Sequence, residues 1–426
     1  MSDVTRRFSF VALCVASLCL AATPASAQVP QRGLPSRNLL DRFGLERAWS
    51  NQATIDSRSD VVLHLIADEQ VVIVQTRTGV LTVFDAESGV KLWDGLLAQP
   101  NQFSYPAVTN AESLFIVIGS TVYTRDKYTG NELWTLRLPG PPSTSPLVTK
   151  DRMYVGTLGG SVYSYDLASV AAAQAQGLLP QYAGTTLVWR YGTSNEIVTA
   201  PVTNGKIVAF ANRAGSLYAV TPTDRSSVYQ FETDAPSSAP LELVDDALLY
   251  AVGDNNFYCL NAPTGTTRWL HVAGAPIRTK PRLIDKSVFL TPIDAGLYNL
   301  SVENGEEIWS VPIVTQFIAA TPTRIFGSDR GGNIAVLDRN DGAVLGTLPL
   351  VDFSIRFANE RTDRMFLATT TGLVTCLRER GAEIPIYHRY PERRPILPLF
   401  GEETPAAPAE EAVVEEPPAD PTSPVE

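Results

Sequence analysis

The stretch Leu260 to Trp269, LNAPTGTTRW, limits what this chain can fold into more than any other feature of it. Asn261 is followed four positions on by Gly265 and eight positions on by Trp269, a spacing that makes a tight turn between two short strands. The same figure recurs as Asp85 to Trp93 (DAESGVKLW), Asp126 to Trp134 (DKYTGNELW) and Ser301 to Trp309 (SVENGEEIW). Such a recurrence means that one supersecondary unit is copied along the chain, since a single unit this small cannot bury its own apolar face.

Aligned on that turn, the units begin it at Asp85, Asp126, Asp166, Thr221, Asn261, Ser301, Asp338 and Arg378, at intervals of 41, 40, 55, 40, 40, 37 and 40 residues. Between the turns lie runs rich in Val, Ile, Leu and Tyr, such as VVIVQT before GVLTVFD and RMYVGT before GSVYSYD. Short apolar runs punctuated at this rate are the pattern of an all-β chain. Eight units with four strands each predict an eight-bladed β-propeller. The longest interval holds an insertion, Val170 to Gly184, whose AAAQAQ core favours a helix. It is expected to protrude from one face, between the third and fourth strands of blade 3.

Two further columns support this register. Gly79, Gly160, Gly215, Gly332 and Gly372 stand six positions before the turn, where the hairpin between second and third strands needs a tight bend. Tyr123, Tyr163, Tyr218, Tyr258 and Tyr298 stand three before it and are expected in the core. All six tryptophans also have a place. Trp93, Trp134, Trp189, Trp269 and Trp309 open fourth strands, Tyr229 and Gly346 hold that slot in units 4 and 7, and unit 8 has no aromatic there. Trp49 lies upstream of the first complete unit, in GLERAWSNQA, which resembles a fourth strand. The N-terminal segment should therefore supply the outermost strand of blade 8, paired with Leu373 to Leu377, and close the ring over an otherwise open edge.

The ends of the chain read differently. Arg6 and Arg7, an apolar run from Phe8 to Ala22 and Ala25-Ser26-Ala27 make up a secretory signal peptide over residues 1–27. The apolar run falls short of the about 20 residues that span a membrane, so the mature chain is expected in the periplasm or otherwise exported, with no transmembrane span. Residues 28–43 read as a linker with one helical turn around Leu39 to Phe43, residues 44–384 as the propeller, and residues 385–426 as a Pro-rich, then acidic, disordered tail. Net charge is -11, but eight acids and no base lie between Glu402 and Glu426, so the folded part is near neutral and carries no basic excess for nucleic acid.

The turn and Trp resemble the tryptophan-docking motif of the PQQ-like (pyrrolo-quinoline quinone) propeller repeats. That motif has a small residue two before the turn start, a Gly four after it and a Trp eight after it. Here these are Val83, Gly89 and Trp93; Cys259, Gly265 and Trp269; Asn299, Gly305 and Trp309; and Gly130 with Trp134. The resemblance covers residues 44–384, and units 4 (TPTDRSSVY) and 8 (RERGAEIP) depart from it. The group includes quinone-dependent dehydrogenases, which add calcium ligands, a catalytic Asp, an adjacent-cysteine disulfide and insertions walling in the cofactor. No adjacent cysteines occur here. Within the group the chain is similar to the BamB family of outer-membrane protein assembly factors. That resemblance implies a monomeric, non-catalytic scaffold without cofactor, whose partners are envelope proteins including the barrel-assembly machinery. Two alternatives are a repeat protein binding another periplasmic protein or a glycan, and a small quinone-dependent oxidoreductase.

Residue types with site chemistry are sparse. His64, His271 and His388 fall in unrelated parts of the repeat, and Cys259 and Cys376 occupy the small-residue column, where packing explains them. Asp254-Asn255-Asn256 and Asp329 to Asn333 fall at hairpins, where Asp, Asn and Gly serve turn geometry. No catalytic, metal or cofactor residue is assigned. Protein recognition is expected on the face shared by the second-to-third-strand hairpins and the links between blades, with Asn195, Glu196, Arg278 and Phe317 as contact residues. The family's partner-binding loop carries an Arg shortly before a first-strand Pro; here that loop reads Asn195-Glu196-Ile197-Val198-Thr199-Ala200-Pro201.

Overall fold

The structure, a computed structural model, describes residues 33–97, 102–180 and 183–389. The expected signal peptide and the chain beyond residue 389 lie outside the described residues. Among those described, 32 strands form eight antiparallel sheets of four. Seven sheets each take four consecutive strands. The eighth combines Ile355–Arg356, Met365–Ala368 and Leu373–Glu379 with Leu45–Gln52 on its outer edge, so the ring closes as the spare Trp49 implied.

Burial along a blade explains the sequence pattern. The second strand of blade 1, Val71–Thr76, is buried at every position, because both its faces meet neighbouring blades. The outermost strand Glu132–Arg137 buries only Trp134 and Leu136, since one edge and much of one face meet solvent.

One feature that the spacing did not reveal is a β-bulge in every blade. Third and fourth strands pair in register up to the Trp slot, and then one extra residue intervenes: Leu92, Leu133, Val188, Val228, Arg268, Ile308, Leu345 and, in the closing strand, Ala48. A bulge sharpens the local twist and re-aims the side chain beside it. Here it swings the Trp off its own blade onto the turn of the next. A Cβ placed on Gly305 would lie 2.6 Å from Trp269, and Gly305 has φ +73°, so only glycine accepts both the turn and the ring. The Trp269 indole donates to the Val302 carbonyl at 2.8 Å. Trp49 on Gly89, Trp93 on Gly130, Tyr229 on Gly265 and Trp309 on Gly342 repeat the contact around the ring. Trp269→Ala removes a ring that is 7% exposed and leaves a void between blades 5 and 6. Thermal or denaturant unfolding should show a loss of about 3–5 kcal/mol.

Four features of the fold differ from what the spacing suggested. The helix of the insertion is docked on blade 2 rather than standing free. Helix α1 (Arg37–Asp41) precedes the closing strand, and helix α2 (Leu167–Ala175) forms the insertion; α2 starts at the Asp166 cap and buries Val170 and Ala173 in one cluster with Trp134. It thus takes the place that the next blade's turn has elsewhere. The empty Trp slot at Gly346 is filled from outside the repeat, since a Cβ there would meet the Phe43 ring at 2.3 Å. Among the column tyrosines only Tyr218 is buried; Tyr123, Tyr163, Tyr258 and Tyr298 pack on the margins of the inter-blade clusters. The chain also stays packed past residue 384. Tyr387 is buried and bridges Thr362, so residues 385–389 are not the start of a loose tail.

Candidate protein-interaction face

Antiparallel order within each blade puts the blade-to-blade links and the second-to-third-strand hairpins on one face, and the remaining turns on the other. The links are stitched to the hairpins by isolated bridges, Pro142 to Thr157, Ile197 to Asn212, Ser237 to Val252 and Ile277 to Pro292. Two of these bridges bury an Ile of the link, Ile197 and Ile277, while Asn195 and Arg278 close by face solvent.

The four expected contact residues fare differently. Asn195 and Arg278 are exposed on this face. Glu196 is half-buried and holds Arg213 of the blade 4 hairpin in an ion pair, and the Arg213 amide donates to the Glu196 carbonyl at 2.9 Å. An arginine thus does stand at this loop, supplied by the neighbouring hairpin rather than by the loop itself. Phe317 is not a contact residue. It is 4% exposed, lies in the strand Val314–Ala320 and stacks on Phe289 at 5.1 Å, because the first strand of blade 7 begins earlier than its Gln-Phe sequence suggests.

Exposed apolar side chains that sequence reasoning missed crowd the same face. Phe103 is 70% exposed and meets Tyr105 edge-on at 4.9 Å, and the Tyr105 hydroxyl donates to the Pro142 carbonyl at 2.8 Å. Leu158 sits beside them, its amide on the Pro141 carbonyl at 3.1 Å. On blades 6 and 7, exposed Ile293 is held to the Pro276 carbonyl at 2.9 Å, Arg330 donates to the Asp294 carbonyl at 3.0 Å, and Ile313 is exposed on the adjoining link. Phe103, Leu158 and Ile293 stand at loop positions where the repeat imposes no packing role, and large apolar type at those positions was the only available signal.

The opposite face is closed at its centre by charge. The long connection of blade 8 carries Glu360 to the axis, where it pairs with Lys280 at 2.8 Å and with Arg282 of blade 6. Lys280 also reaches buried Glu242 of blade 5 at 2.5 Å. Arg389 binds both Glu242 and Glu360, so the segment from Ile384 crosses from the rim to the axis. Burial works against the Glu360 charge, but Arg282 and Lys280 reverse this and hold its pKa at about 2. Arg364, fully buried, pairs with Glu87 at 3.0 Å and Asp363 at 3.2 Å, and Arg361 with Glu69 at 3.3 Å, tying blade 8 to blade 1.

Among the described residues no group of three or more His, Cys, Asp or Glu side chains is placed to hold a metal ion. His388 is packed against the Ala320 carbonyl at 3.0 Å, and burial lowers its pKa. Cys259 and Cys376 are free and buried, facing Trp269 and Trp49 across the third and fourth strands. Burial pushes the Cys259 thiol up to about 11 and raises that of Cys376 as well. Among the described residues no helix is long and apolar enough to cross a membrane.

The family described as outer membrane protein assembly factor BamB matches residues 101–173 and 213–352, together half of the chain. The chain belongs to the BamB family. Two solved structures share the fold of this BamB-family chain. The computationally designed Ika8 protein is 15% identical, with 78% of this chain and 98% of that chain covered and a TM-score of 0.60. BamB from Moraxella catarrhalis is 16% identical, with 78% and 97% covered and a TM-score of 0.58. No curated protein matches the chain.

Proposed function

We propose that this BamB-family propeller is an exported, non-catalytic scaffold that holds envelope proteins, in the manner implied by outer-membrane protein assembly. The observation that carries this reading is the concentration of exposed Phe103, Leu158, Ile293, Ile313 and Val351 on the link face. Apolar anchors with arginines beside them, here Arg213, Arg278 and Arg330, suit protein recognition, because aromatic and aliphatic groups gain most from being desolvated and Arg donates in several directions at once.

The test is a pair of surface variants. Phe103→Ser with Leu158→Ser, and Arg278→Glu with Ile293→Ser, alter exposed side chains only. Each should abolish crosslinking to a barrel-assembly component identified by mass spectrometry, with the unfolding temperature unchanged. Undiminished crosslinking by both variants, or a loss produced only by substitutions on α2, would move the site off this face. Addition of pyrrolo-quinoline quinone and calcium should give no bound chromophore; a stoichiometric chromophore would favour the oxidoreductase reading.

A further inference from the structure

Three separate parts of the chain converge at the rim of the turn face under blade 8. Helix α1 contributes Arg37, Leu40 and Asp41, the closing strand Glu46 and Arg47, and the turn after the strand Leu373–Glu379 contributes Arg380. With Pro35 they line a cavity of about 280 Å³. Its polar groups are not balanced internally. Asp41 is engaged by Arg380, and Glu46 by Arg378 at 2.7 Å. The side chains of Arg37 and Arg47 are exposed and have no hydrogen-bond or ion-pair partner among the described residues. Three arginines and two acids line the cavity, and because Arg380 engages Asp41 while Arg378, from outside the lining, engages Glu46, the Arg37 and Arg47 charges are left unbalanced there, in a chain whose net charge is -11.

We propose that this cavity binds a phosphate-class oxyanion. A guanidinium fork matches two oxygens of a phosphate at once, and a doubly charged anion matches two unpaired arginines better than a single carboxylate does. The walls are preorganised. Leu40 is 1% exposed and anchors α1, the Arg380 amide donates to the Gly44 carbonyl at 2.8 Å, and Glu46 and Arg47 pair with Arg378 and Leu377 across the sheet. The ligand's shared chemistry is the phosphate group, carried either by a free phosphate or by a lipid headgroup. The site is on the face opposite the proposed protein-binding loops, so its fate does not depend on theirs.

The test uses the full mature chain at ionic strength held constant with chloride. Inorganic phosphate should raise the unfolding temperature in a saturable way, and Arg37→Gln with Arg47→Gln should remove that rise while unfolding without phosphate stays the same. Should the double variant fail to fold, Arg37→Gln and Arg47→Gln singly should each weaken the phosphate titration about tenfold, the loss of one charge-assisted contact. Flotation with phosphatidic acid vesicles, whose headgroup is a phosphomonoester, that requires the same arginines assigns the headgroup as the source; a phosphate-induced rise without flotation assigns free phosphate. Absence of both responses, or responses of equal size in the double variant, would overturn the proposal.

Discussion

Removal of residues 28–58 should leave a chain that no longer unfolds cooperatively at the temperature of the intact protein and that forms aggregates on a sizing column. The closing strand provides the whole outer edge of blade 8, from Leu45 opposite Glu379 to Gln52 opposite Leu373. It carries Trp49, which packs on Gly89 and donates to the Ala86 carbonyl at 2.8 Å, so its loss empties the docking slot of blade 1 as well. Phe43 and Leu40 leave with it and uncover Gly346 and the cluster beneath blades 7 and 8. An exposed third strand with unpaired amides and carbonyls is then a template for another chain. A truncated protein with the unfolding temperature of the intact one would mean that blades 1 and 8 meet without this strand.

The second large effect is expected at Arg364. Its side chain has no exposure to solvent, and its guanidinium is shared by Glu87 and Asp363. Arg364→Met leaves the Asp363 carboxylate buried without its cation and breaks the tie between blades 8 and 1. Removing one partner of a buried pair destabilises by about 3–5 kcal/mol, mostly because the surviving charge is desolvated. Asp363→Asn in the same chain should recover part of the loss, since the orphaned charge is then gone. Equilibrium unfolding of the single and double variants measures both steps; a double variant no more stable than Arg364→Met would mean that packing of the long side chain, not charge, sets the effect.

The blades and the closure were legible because the turn, Gly and Trp recur with a spacing that only one arrangement satisfies. Trp49 could be placed on blade 8 from the empty slot together with the likeness of GLERAWSNQA to a fourth strand. What stayed hidden depends on contacts between distant parts of the chain. Arg389 is held by Glu242 and Glu360, and nothing local in Ile384 to Arg389 signals that these residues pack. Phe317 looked like a loop residue because it follows Thr315 and Gln316 in the stretch read as the link between blades 6 and 7, yet Phe289 on blade 6 draws it inward. The candidate face was legible as a surface but not as a set of anchors. Loop residues such as Phe103 and Ile293 obey no repeat, so their exposure follows only from the three-dimensional arrangement.

The bulge beside each docking residue bears on how a ring with eight open margins remains a single molecule. An outer strand offers an incoming chain a continuous ladder only while its free amides and carbonyls keep a regular spacing. In all eight blades that spacing is broken at the same height, next to the Trp slot, and the side chain pushed outward is often bulky, as with Leu133, Val188, Ile308 and Leu345. A foreign strand can therefore pair with only a few residues before it must itself kink. The device that seats one blade on the next also gives each margin a steric defence against fibre-like stacking, without a proline or a charge on every edge.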